Sequence, residues 1–273
     1  MAFPNLTEIS SRSVSASPYD EWTQPVQTTP LLGLDFADIS LGAVLSWLAA
    51  RPPAAPFGYV VTPNADHLVR VQRQPRLRPL YADAMLRLLD SRVVARAARA
   101  AGLPAPAVVP GSDLTAHLIQ QVIDPAEPVT ILGMEAEAVG ALAQRWGLRQ
   151  VAHHNPPMGF ESDPEAMDRA IRFIEENPAR FSFLAVGSPR QCMVAHAVTL
   201  RGRARGIGLC IGASLLFLSG HERRAPRPVQ QAGFEWAWRL AQDPRRLAKR
   251  YLVDSPAVLR LLRDEARARR QPN

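Results

Sequence analysis

The chain has little of several things that would fix its class at once. It has two cysteines in 273 residues, Cys192 and Cys210, too few for a disulfide framework. No charged-then-apolar leader opens it, so a reducing, cytoplasmic setting is expected. No apolar run approaches the roughly 20 residues that a spanning helix needs, because Arg or Pro interrupts each long candidate. The sequence contains no GxGxxG, no GxxxxGKS or GxxxxGKT and no GxSxG, which argues against a dinucleotide enzyme, a P-loop enzyme and an α/β-hydrolase. It also lacks a DxD pair, the usual carboxylate clamp for a nucleotide-bound cation. His153 and His154 are adjacent, and Cys192 and His196 have no partners at zinc spacing, so structural roles and no metal site are expected.

Lysine is nearly missing: of 32 basic residues only Lys249 is one. The charge is also unevenly placed. Residues 1–220 balance 19 basic against 19 acidic side chains, whereas residues 221–273 carry 13 against 6 and so hold the entire net charge of +7. A neutral body with a basic end points to phosphate, whether of a nucleotide, a nucleic acid or a lipid surface.

What is present reads as α/β. Residues 1–30 are rich in Ser, Thr and Pro and are expected to form a flexible tail. From there apolar, strand-like runs (FGYVVT at 57–62, MLRLL at 85–89, PVTILG at 128–133, RQVAHH at 149–154, FSFLAVG at 181–187, GIGLCIG at 206–212) alternate with helical patterns. One helix is expected over 112–124 with Ser112 as N-cap, and another over 163–177 with Pro164 at its first position. The alternation predicts a largely parallel sheet flanked by helices, Rossmann-like, over residues 31–220, followed by a basic helical appendage over 221–273.

In such sheets ligands gather where strands end and helices begin. Those junctions read Thr62-Pro63-Asn64, Asp90-Ser91-Arg92, Gly133-Met134-Glu135, Gly187-Ser188-Pro189 and Gly212-Ala213-Ser214. Gly133, Gly187 and Gly212 would let a phosphate approach the backbone. Asp90 is a candidate general base, since partial burial raises a carboxylate toward working pH; it would serve equally as a helix cap or as a partner of Arg92. Asn64 fits a helix cap and Thr62 a strand end. Beyond residue 220, Arg245, Arg246, Lys249 and Arg250 share one arc of a helix, with Leu247, Ala248, Tyr251 and Leu252 on the other, a pattern suited to an anionic membrane surface or to a solvated face. Trp236 and Trp238 precede this helix.

The motifs VTPNADHLVRVQRQPRLRPLYADAMLRLLDSRVV, VPGSDL, ILG, VGSPRQ, IGAS and HERRAPRPVQQAGFEWAWRLAQDPRRLAKRYL, in that order over about residues 35–255, resemble the WecG/TagA/CpsF glycosyltransferases, family 26. The resemblance implies an inverting, metal-independent enzyme that moves a sugar from a UDP-sugar to a saccharide on a membrane polyprenyl diphosphate. Its appendage would bind the membrane and close the site. By motif, Thr62 and Asn64 would lie in the pocket, Asp90 would be the base, and Gln191 would stand beside the donor. Arg223, Arg224 and Arg227, with Arg239, Arg245, Arg246 and Arg250, belong to the appendage, where the resemblance implies arginines reaching a diphosphate. Glu235 would pair with an arginine. Three positions depart from the family pattern: Ser91 stands for Gly, Cys192 for Glu and Leu216 for Asp. The expected partners are thus the UDP-sugar, the lipid-linked saccharide and an anionic membrane, with no cofactor and no nucleic acid; an oligomer is compatible. Two other classes remain open at this level, a catalytically weakened partner in a polysaccharide assembly complex and a nucleic-acid-binding α/β protein.

Overall fold

A computed structural model of the protein describes residues 26–222, 224–232, 234–248 and 256–270, with Arg227, Arg239, Arg246 and Leu247 described in the backbone only. The first elements are two short antiparallel strands, β1 (Thr28–Leu31) and β2 (Leu34–Ala37). Leu32 and Gly33 join them with φ of 49° and 72°, the paired positive values that match the twist of a two-residue hairpin. Thr28, Thr29 and Pro30, counted with the tail from composition, therefore belong to a strand. Their alternation is masked by its brevity, yet Leu31 and Phe36 are fully buried.

A six-stranded sheet follows, all of it parallel: β3 (Gly58–Val61), β4 (Leu86–Arg87), β5 (Pro128–Leu132), β6 (Gln150–His154), β7 (Phe181–Leu184) and β8 (Ile207–Cys210), in the order β4-β3-β8-β7-β5-β6. The helices between are α1 (Leu41–Ala50), α2 (Ala65–Arg73), α3 (Pro79–Ala82), α4 (Arg92–Ala100), α5 (Gly111–Gln121), α6 (Ala136–Trp146), α7 (Pro164–Glu176), α8 (Arg190–Arg201) and α9 (Ser214–Ser219). Pro164 opens α7 behind an Asp163 cap, as expected. The predicted Ser112 cap is corrected: α5 starts one residue earlier, at Gly111, with Pro110 in the cap position. Gly111 fits there because a Cβ would come within 2.8 Å of Thr62 Oγ1, so only a residue without one lets the helix start so close to the end of β3.

Alternate side chains of the central strands β3, β5, β7 and β8 feed two cores. Tyr59 and Val61 of β3 face a layer of α2, α3, α4, α7 and α8, whereas Val60 faces α1, α5, α6 and α9. Both faces being covered, the strands read as continuous apolar runs, which is why they stood out in the sequence. Gly208 in the centre of β8 accommodates Phe57: a Cβ there would lie 2.5 Å from Phe57 Cζ.

The topology sets where the sheet opens. Neighbouring strands β3 and β8 send their following helices, α2 and α9, to opposite faces. Such a switch point leaves a crevice at the carboxyl ends of the strands.

Past α9 come α10 (Arg227–Ala232), α11 (Glu235–Gln242), α12 (Pro244–Ala248) and α13 (Ala257–Arg270). The last of these is built into the body. Val258, Leu262 and Ala266 are buried against the α2 and α4 side of the core. Its Glu265 accepts from the Leu32 amide at 2.7 Å, and Arg269 donates to the Pro30 carbonyl at 3.0 Å. Among the described residues of the segment expected as an appendage, α13 is thus part of the α/β body, whereas α10 to α12 add to its outside. Among the described residues no helix is long and apolar enough to cross a membrane.

Candidate active site

A cleft of about 560 Å³ lies over the carboxyl ends of β3, β7 and β8. Its floor includes Thr62, Asn64, Gly187, Gln191 and Gly212, one wall carries Asp90, Ser91 and Arg92, and Gln230, Glu235 and Trp236 of α10 and α11 roof it. Six of the residues expected to act in catalysis or substrate binding, Thr62, Asn64, Asp90, Gly187, Gln191 and Gly212, thus meet in one cavity.

Each is held by its neighbours. Thr62 is buried, with Oγ1 3.5 Å from the Cys210 carbonyl across the β3–β8 pair. Asn64 does cap α2, accepting from the Asp66 and His67 amides at 3.2 and 3.4 Å, and lines the cleft as well. The amide of Asp90 donates to the Pro63 carbonyl at 2.9 Å, which ties the end of the β4 run to the loop after β3. Capping of α4 falls to Ser91, whose Oγ accepts from Val94 at 3.2 Å, and not to Asp90. Gln191 is 2% exposed; its Oε1 accepts from the Gly212 amide at 3.0 Å and so locks the start of α8 to the loop after β8.

Sequence reasoning missed the residues that shape the β7 loop. This loop runs through Gly187 at φ 77° and a cis Ser188–Pro189 bond. Arg70 holds it, with Nη1 donating to the Ser188 carbonyl at 2.9 Å and Nη2 to Asp66 at 2.9 Å. The Tyr81 hydroxyl sits 3.1 Å from Ser188 Oγ, and burial pushes its phenol above the usual range. The i,i+4 spacing of Asp66 and Arg70 was visible, but their joint grip on a loop 118 residues away was not.

Other expected residues fall elsewhere. Gly133 is not among the residues that line the cleft. It follows β5, the neighbour of β7, and packs against the chain just after β7: a Cβ would lie 2.9 Å from the Ala185 carbonyl carbon and Val186 Cγ1. Arg224 is turned to protein carboxylates, 2.7 Å from Asp113 and 3.8 Å from Glu235, so the expected Glu235 pairing is present. Arg96 of α4 grips the same roof by donating to the Gln231 and Ala232 carbonyls at 2.8 and 2.7 Å. Arg245 is exposed on α12, whereas Arg223, Lys249 and Arg250 lie outside the described residues, and the side chains of Arg227, Arg239 and Arg246 are likewise outside them. His153 Nε2 faces the Gly133 and Met134 carbonyls at 3.2 and 3.1 Å, and His196 pairs with Asp83 at 2.9 Å. Cys192 and Cys210 are both buried, and burial lifts the Cys210 thiol well above its ordinary value. Leu216 packs against the α1/α5/α6 core. Among the described residues no three His, Cys, Asp or Glu side chains are placed to hold a metal ion.

A doubly covered parallel sheet with a glycine-edged cleft at the carboxyl ends of its strands defines a Rossmann-like α/β protein, and that cleft is its candidate ligand site. The model of the WecG/TagA/CpsF glycosyl transferase family matches residues 29–272, nearly the whole chain, and the protein belongs to that family. It is accordingly a glycosyltransferase. The family implies work in cell-surface polysaccharide biosynthesis, with a nucleotide-sugar donor and a lipid-linked saccharide acceptor.

Proposed function

We propose that the protein transfers a sugar from a UDP-sugar to a saccharide carried on polyprenyl diphosphate, with inversion and without a metal, at the cytoplasmic face of the membrane. The observation that carries this reading is the meeting of Asp90 with Thr62, Asn64, Gly187, Gln191 and Gly212 in one cleft. Asp90 takes the proton of an acceptor hydroxyl as that oxygen attacks the anomeric carbon. The bond from that carbon to the diphosphate oxygen breaks with its electron pair, and UDP departs with the opposite stereochemistry left behind. Gly187 and Gly212 let the diphosphate lie close to the backbone, and Arg92 in the wall offsets the charge that develops on it, joined by Arg223 and Arg227 as the family resemblance implies. Arg224, committed to Asp113, acts instead by holding the roof. Arg245, Arg246, Lys249 and Arg250 meet anionic lipid.

The test is Asp90→Asn. Loss of a general base costs about 10²- to 10⁴-fold in turnover, while calorimetric UDP binding stays at the wild-type level. Normal turnover by this variant would exclude Asp90 as the base. Transfer is expected to persist in excess EDTA, and a strict requirement for added cation would overturn the metal-free step.

A further inference from the structure

A second cavity, of about 430 Å³, runs along the outside of the molecule between α4 and α13. Its floor is apolar, made by Ala97, Ala100 and Ala101 on one side and Leu259, Leu262 and Ala266 on the other. Its rim is basic throughout, with Arg263, Arg267 and Arg270. Arg263 forms no ion pair among the described residues, Arg267 stands at the long distance of 3.9 Å from Asp264, and Arg270 reaches the Ala101 carbonyl at 3.4 Å.

The groove adjoins the cleft. Leu259 lines both cavities, and α4 enters the cleft wall at Arg92 and Val93 before its later turns form the groove. At 1.5 Å per residue the stretch of α13 from Leu259 to Arg270 spans about 16 Å. The junction is unusually apolar for a surface. Val93 is 39% exposed and Leu259 40%, and Phe234, beside the α10 end that Arg96 holds, is 57% exposed. These are three of the five large hydrophobic side chains exposed among the described residues.

A ligand for this groove is long, thin and apolar, leads to a polar group inside the cleft, and leaves a layer of anionic phosphates at its far end. We propose that the groove between α4 and α13 seats the isoprenoid stem of the lipid-linked acceptor, so that the diphosphate and saccharide enter the cleft past Leu259 while Arg263, Arg267 and Arg270 face the headgroups of the leaflet the stem comes from. The proposal rests on the acceptor class given under Proposed function. Alanines on the α4 side keep the channel open, and the arginine stems extend its apolar walls while their heads stay in water.

The experiment uses the full chain, anionic vesicles and a diphosphate-linked saccharide whose prenyl stem carries a diazirine, beside a phospholipid bearing the same group. Photolabelling by the prenyl probe is expected on α4 and α13 peptides and is expected to be lost in Ala100→Trp, which fills the groove. Kinetics supply the second readout. Wild-type KM is expected to fall at least about tenfold from a short water-soluble stem to a long prenyl stem, the worth of roughly two buried methylenes. Ala100→Trp should abolish that gain and leave KM for the short acceptor and UDP binding unchanged, with Arg263→Ala/Arg267→Ala as a variant that spares the packing. Equal KM for both stems, full chain-length preference in Ala100→Trp, or equal labelling by the phospholipid probe would each overturn the inference. Specific prenyl labelling without any sugar transfer would support the groove and defeat the proposed function; transfer without labelling would do the reverse.

Discussion

Replacing Arg224 by Ala should loosen the roof of the cleft while leaving its floor intact. Arg224 sits 2.7 Å from Asp113, and both side chains are about three-quarters buried. Asp113 lies in the first turn of α5, which starts at the cleft wall, so this contact joins roof to body. At an effective dielectric constant of about 20, unit charges at this separation attract by about 6 kcal/mol, but desolvation and side-chain ordering oppose most of it. Exposed pairs keep about 0.2–1 kcal/mol, and hydrogen bonds to charged groups about 1.5–3. A coupling of about 1–2 kcal/mol is therefore expected between Arg224→Ala and Asp113→Ala in a double-mutant cycle read by urea unfolding. If closure of the roof depends on this contact, the closed population falls about 5- to 30-fold. Limited proteolysis within residues 221–256 should accelerate accordingly, and kcat/KM should fall with UDP affinity nearly unchanged. Additive effects in the cycle, or loss of activity without faster proteolysis, would refute the reasoning. Arg224→Lys should recover only part of the coupling, because an ammonium lacks the planar fork.

Three further predictions follow from packing and titration. Gly208→Ala should cost about 1–3 kcal/mol by overpacking against Phe57 and lower Tm by several degrees; the loss should shrink in a Phe57→Leu background, and the same loss in both backgrounds would show the clash lies elsewhere. Ser91→Ala should cost about 1 kcal/mol of stability as a lost helix cap and Ser91→Gly only a few tenths, measured by denaturant unfolding; a neutral Ser91→Ala would mean the cap contributes nothing. Burial, chiefly, holds the His154 imidazole below its usual 6.5, with His153 and Arg169 acting in the same direction. The unfolded chain then takes up this proton first, so the contribution is complete above pH 6.5 and is lost as pH falls below it. His154→Phe, packed against Phe173, should flatten the decline of Tm in that range, and an unchanged pH profile would exclude His154 as its source.

The parallel sheet was legible because strands buried on both faces spell unbroken apolar runs between glycines and helix caps. The cleft was legible as far as local chemistry goes: Thr62, Asn64, Asp90, Gly187, Gln191 and Gly212 all sit at strand-to-helix junctions, and the structure brings them together. Gly133 sits at the same kind of junction but packs against the chain after β7 without lining the cleft, and such a contact between separate strand ends is not written in any one segment. The β1–β2 hairpin escaped notice because four-residue strands give no measurable period, and its burial comes from elements further along the chain, β4 and α3, with Glu265 of α13 adding a hydrogen bond from 233 positions away. Arg224 was expected to reach a diphosphate, and nothing near it in sequence announces its contact with Asp113. The amphipathic pattern of residues 257–270 was visible, but not that α2 and α4 would receive it.

That last contact changes what the roof is. Because α9 and α13 both pack on the body, and α13 also holds the entry hairpin, the chain between them is fastened at both ends, like the bail of a bucket. A segment tethered twice is kept at a higher local concentration near the cleft than a tail held at one end. The same clasp means that cutting the chain at residue 221 would strip Val258, Leu262 and Ala266 from the core along with the roof. Removal of the roof alone requires bridging the gap to α13.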